Sequence, residues 1–115
     1  MRLRSSLAAA VGALALAVTL PASSAGAATG QFVFTYERDG KTIEDKLHDP
    51  RARFCINLDE VSKPGTTPAH SPRNRTNSRA TVYPEIDCEG EGVGLKALSG
   101  KAGPEVKVRS VIFNQ

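Results

Sequence analysis

Apolar and polar residues alternate along much of this chain at a period of two, which places successive side chains on opposite faces of a strand. The clearest run is Gln31-Phe32-Val33-Phe34-Thr35-Tyr36-Glu37, where Phe32, Phe34 and Tyr36 share one face and Gln31, Thr35 and Glu37 the other. Asp39-Gly40 suits the positive φ angles of a tight hairpin, so residues 41–47 are the expected returning strand, with Ile43 and Leu47 inward. The charges on that return, Lys41, Glu44, Asp45 and Lys46, suit a sheet edge. Asp49-Pro50 ends the hairpin, and residues 53–58 predict a third strand with Phe54, Ile56 and Leu58 on one face and Cys55 on the other.

The period is lost over residues 59–77. Val61 is the one large apolar residue there, and Pro64, Gly65, Pro68 and Pro72 predict a long irregular loop. Strands return at residues 80–83 and 92–98, separated by a turn over 84–90. A Gly-rich turn over 99–104 leads to the last and longest predicted strand, 105–113. Val106 and Val108 share one of its faces, Val111 and Phe113 the other. The phase change at Arg109-Ser110 predicts a bulge, or a strand that serves two sheets. Six short strands joined by turns predict an all-β fold, a small antiparallel sandwich.

Residues 1–27 do not belong to this pattern. Arg2 and Arg4 precede an apolar segment over 7–20, and the small residues Ala25-Gly26-Ala27 follow it, as in a secretory signal peptide cleaved after Ala27. A cut after Ala28 would change little. A helix over the apolar segment would be roughly 21 Å long, too short for a hydrocarbon core of ~30 Å. The arginines are not adjacent and no Cys follows the segment, so general secretion of a soluble, extracellular product is expected, with no membrane attachment after cleavage. That product, residues 28–115, is one small β domain, expected as a monomer. Removing Arg2 and Arg4 from the 15 basic residues leaves 13 against 12 acidic ones, a net charge of +1. A role centred on nucleic acid or an anionic membrane therefore lacks compositional support.

A domain of this size with no Trp buries a limited core and needs a covalent aid. Cys55 and Cys88 are the only cysteines, and a monomer in an oxidising compartment allows them one pairing. Closing that loop is worth roughly 3 to 4 kcal/mol on the chain-entropy model. Two free thiols or an intermolecular bridge are the alternatives. No metal is expected, because zinc sites recruit four ligands and His48 and His70 lie in unrelated contexts.

Loops longer than about 12 to 15 residues are functional or disordered, which makes residues 59–77 the candidate partner-binding loop. It carries Lys63, His70, Arg73 and Arg75, with Arg79 beyond. Two readings stand: a solvated connection, or a loop presented between Cys55 and Cys88 that enters the cleft of another protein. Asn74-Arg75-Thr76 also matches a glycosylation sequon. Catalytic residues are not expected. His48 and Asp49 are sequence neighbours that point to opposite faces, and Ser71 and Ser78 stand beside no oxyanion-hole motif.

Tyr83-Pro84-Glu85-Ile86-Asp87-Cys88-Glu89-Gly90, followed by a strand and then Arg109-Ser110-Val111-Ile112-Phe113, resembles the Greek-key motif of the βγ-crystallin superfamily. In that motif an aromatic residue opens a folded hairpin, a glycine takes a strained conformation and a serine ties the hairpin down. The resemblance assigns these roles to Tyr83, Gly90 and Ser110, with Cys88 where the family often has a second aromatic residue. It covers roughly the last third of the chain and implies a Greek-key sandwich. The family's calcium motif would fall on residues 105–110, where Val106, Lys107 and Arg109 replace oxygen ligands, so no calcium or other cofactor is expected. The alternating acids Glu85, Asp87, Glu89 and Glu91 read as a solvated turn. The expected function is a secreted, non-enzymatic binding or structural module. A peptidase inhibitor acting through the basic loop is the second expectation, and some secreted bacterial inhibitors are similar to βγ-crystallins in fold. A toxin resembling βγ-type microbial killer toxins is the third.

Overall fold

The alternation of Phe32, Phe34 and Tyr36 with polar neighbours produces a long first strand, and the other elements are laid against it. A computed structural model describes residues 26–114. Its strands are β1 (Gly30–Arg38), β2 (Lys41–His48), β3 (Cys55–Asn57), β4 (His70–Thr76), β5 (Arg79–Tyr83), β6 (Val93–Leu95), β7 (Gly100–Lys101) and β8 (Ser110–Asn114). They form two four-stranded antiparallel sheets, ordered β2-β1-β4-β7 and β3-β8-β5-β6. The two orders become equivalent when β1–β4 are exchanged with β5–β8. Each half places a hairpin and its fourth strand in one sheet and sends its third strand to the other.

The sheets face each other across one core. Phe32, Phe34 and Tyr36 of β1 and Val82, Val111 and Phe113 of the second sheet are buried in it, with Leu58, Val61 and Val108 from the connections. The Phe32 and Phe113 rings meet edge-on at 5.5 Å, an arrangement favoured by their quadrupoles. β2 lies at a sheet edge, as its charges predicted. The Cys55–Cys88 disulfide is formed, with Cα atoms 5.9 Å apart.

The largest departure from the sequence reading is β4. Residues 59–77 are not one loop: His70–Thr76 is a central strand between β1 and β7. Its inward residues are Pro72, Asn74 and Thr76, so the period of two is present but not carried by apolar side chains. Pro72 is tolerated because Ser71 and Pro72 together oppose Phe34 in a bulge, where no ladder donor is needed. The sequon asparagine is likewise reassigned: Asn74 is 0% exposed, so it is no glycosylation site in the folded domain. Its Nδ2 donates to the carbonyls of Ser78, Leu95 and Lys96, and its Oδ1 accepts from the Thr76 amide and hydroxyl.

Other boundaries also shift. β3 is three residues long, and Phe54 is 54% exposed with the Arg51 guanidinium 4.3 Å above its ring, because Arg53 turns the chain at φ +68°. The predicted strand over 92–98 is only Val93–Leu95, while Gly100–Lys101, expected as turn, pairs with β4. The last segment, expected as the longest strand over 105–113, is strand only from Ser110, and residues 104–106 are turn and bend. Val108 exchanges both backbone hydrogen bonds with Ala69, just ahead of β4, and β8 begins at Ser110 in the other sheet.

The expected export segment, 1–27, lies outside the described residues except for Gly26 and Ala27. Those two join the fold: Ala27 bridges to Arg51 and the Gly26 carbonyl accepts from the Ala52 amide. Asn74→Ala should destabilise the domain by about 3 kcal/mol, since it strands several buried carbonyls at once; urea unfolding of both proteins measures the difference.

Candidate functional site

Two adjacent residues at the start of β8 organise the irregular parts of the molecule. Ser110 serves the turn between β5 and β6. Its hydroxyl donates to the Glu85 carbonyl at 2.6 Å and accepts from the Cys88 amide at 2.9 Å. The turn is folded back sharply, with Asp87, Cys88 and Gly90 all at positive φ. A Cβ on Gly90 would come within 2.7 Å of Pro84 Cγ, so glycine is required by contact as well as by φ. Tyr83 opens the turn and lies over Gly92, where a Cβ would meet its ring at 2.9 Å. Asn57 of β3 exchanges two hydrogen bonds with Asp87, beside the disulfide that joins the same two segments.

Arg109 serves the connection between β3 and β4. Its Nη1 donates to the Val61 carbonyl and to Thr66 Oγ1, and its Nη2 to the Thr66 carbonyl, at 2.7 to 3.1 Å. The Thr66 hydroxyl donates in turn to the Val61 and Lys63 carbonyls, and the Thr66 amide closes a turn onto Lys63. Buried Val61 anchors the near end and the Ala69–Val108 bridge the far end. Residues 59–69 are thus an ordered loop with Lys63, Pro64 and Gly65 exposed at its tip.

Glu60 sits at the base of this loop. Burial raises its pKa, and a hydrogen bond with Asp45 and the charges of Asp45 and Asp59 raise it further.

The four residues expected to act together are separated by the fold. Lys63 is on the loop tip, whereas His70, Arg73 and Arg75 belong to β4. His70 Nε2 lies 3.0 Å from a Glu37 carboxylate oxygen and its Nδ1 2.9 Å from Ser71 Oγ. This Ser-His-Glu chain was not foreseen, because Glu37 lies on a different strand. Arg73 forms an ion pair with Glu44 across β1. Arg73 and Arg75 separate two surface openings, of about 310 Å³ toward β7 and about 250 Å³ toward β2, and neither is lined by His70, Ser71 or Glu37. Among the described residues no group of three or more His, Cys, Asp or Glu forms a metal-binding cluster.

Arg109, Thr66 and Asn74 were missed as organising residues: Asn74 has a local partner in the Thr76 hydroxyl, but the contacts that make the three organise distant segments reach 21 to 48 positions away. Arg109→Ala should cost about 2 to 3 kcal/mol and speed amide exchange at Thr66 by roughly tenfold or more, because two loop carbonyls lose a charged donor. Hydrogen exchange with mass or NMR detection reads this directly.

Because folded Glu60 holds its proton more tightly than the unfolded chain, its contribution to stability falls as pH rises from 4.5 through the higher folded value. Glu60→Gln should therefore raise the urea midpoint at neutral pH, with the gain fading as the pH drops below about 4. A gain that is the same at both pH values would refute this assignment. No protein-family model, curated protein or solved structure matches the chain.

Proposed function

We propose that this protein is a secreted, non-enzymatic binding module built as two intertwined Greek-key motifs of the βγ-crystallin kind. Carrying that reading is one observation: the interchangeable strand orders of the two halves, with Tyr83, Gly90 and Ser110 in the folded hairpin of the second. The first half keeps the strand order but has a regular Asp39-Gly40 hairpin in place of the folded one. The export reading draws on the arginines and apolar segment at the N-terminus and on the disulfide.

The non-enzymatic reading has to account for Ser71, His70 and Glu37. Their chain of contacts lies at the β4 bulge, away from both openings, where it fixes the strand's entry into the sheet. Expression in a secreting host should release an oxidised domain lacking the export segment, and a fluorophosphonate probe should label no serine. Labelling at Ser71 would overturn the non-enzymatic assignment, and retention of the intact N-terminus in the cell would overturn export.

A second reading, peptidase inhibition, is favoured by the Arg109-held loop. A preorganised loop loses little entropy when it enters a cleft, and Lys63 stands exposed at its tip. Of the basic residues first assigned to that loop, only Lys63 remains on it. Titration against trypsin-like and subtilisin-like peptidases tests this: stoichiometric inhibition abolished by Lys63→Ala supports it, and full residual activity excludes it for those classes.

A further inference from the structure

The outer face of the first sheet carries a cluster of cations that neither the hairpin nor the loop uses. Register pairs Arg73 of β4 with Lys101 of β7, on strands about 4.8 Å apart. Arg75 lies two residues along β4 on the same face, about 7 Å from Arg73. All three line the opening of about 310 Å³, together with Leu98, Ser99 and Gly100, and no carboxylate lines it.

Two of these three like charges have no counter-charge among the described residues. Arg73 is paired with Glu44 on the side away from β7, but its Nε has no hydrogen-bond acceptor among the described residues. Arg75 and Lys101 have no ion-pair partner among them either. An anion seated in the opening would offset the mutual repulsion, with the planar Arg75 guanidinium fork suited to a carboxylate or sulfate.

From this we infer that the opening between β4 and β7 binds an acidic polysaccharide, its acid group held by Arg73, Arg75 and Lys101. Several features select this class. The opening is shallow and of a size for a sugar unit, and Leu98, 68% exposed at its lip, offers an apolar surface to the C–H face of a ring. Ser99 presents a hydroxyl. The lining has no aromatic ring on which a nucleic-acid base would stack. On the far side of the same two arginines the second opening is lined by Gln31, Lys46, Glu44 and Asp45, whose carboxylates confine the acid group to the β7 side. That the protein meets such a polymer outside the cell rests on the export proposed above; the binding itself does not.

Titration of the oxidised protein with heparin and with polygalacturonate, at low and at physiological salt, tests the site, and polygalacturonate, which carries carboxylates alone, shows whether sulfate is needed. Binding to either polymer, weakened by salt and absent with neutral dextran, is expected. Arg75→Ala combined with Lys101→Ala, both at exposed positions, should weaken it roughly tenfold or more at an unchanged unfolding midpoint, while Lys63→Ala leaves it intact. Failure of both polymers to bind at low salt would overturn the inference, as would full affinity in the double variant. Equal or tighter binding of poly-glutamate would do the same, by making the partner an acidic peptide. None of these failures bears on export.

Discussion

Neither half of this chain has the strands to finish a sheet of its own, and the exchange of β3 and β7 between the halves is the constraint on which the rest depends. The exchanged strands are short, three and two residues long, with few ladder hydrogen bonds to hold them. Each is secured by something stronger. β3 is tied to the folded hairpin by the Cys55–Cys88 bridge and the paired bonds of Asn57 and Asp87. The chain leading into β7 is tied to β4 by Asn74, which reaches the Leu95 and Lys96 carbonyls from the buried side of the sheet. One lock is covalent with polar support, the other polar alone.

The same economy governs the connections. Arg109 and Ser110 are neighbours, yet one side chain organises the loop after β3 and the other the turn after β5. Their proximity is a result of the crossing at Val108, where the chain leaves its bridge with Ala69 and enters the second sheet. An ordered loop and a folded hairpin thus flank the disulfide. The β4 cations are on the opposite kind of surface, the broad outer face of a sheet, so the basic residues of one sequence segment serve two separate places.

Much of the architecture was legible because it is written in local chemistry. Phe32, Phe34 and Tyr36 announce a half-buried strand by spacing alone, Asp39-Gly40 marks its hairpin, and the charges of β2 mark the edge. The change of phase at Arg109-Ser110 falls where β8 begins. β4 was illegible for a definite reason: Pro72, Asn74 and Thr76 are all inward, and a strand that buries polar side chains has no hydrophobic period. β7 was illegible because two residues carry no period at all.

By itself, then, the sequence determined the β class, the single disulfide pairing open to a monomer and the first hairpin, since each depends on residues close in the chain or on a count of two cysteines. Only the tertiary structure decided that residues 59–77 divide into a held loop and a central strand, and that Asn74 is a buried lock. It also decided that Arg73 and Arg75 face Lys101 rather than accompany Lys63. These are matters of partners brought together across tens of residues, and a hydrogen bond to a distant backbone carbonyl leaves no mark on the spacing of side chains along the chain.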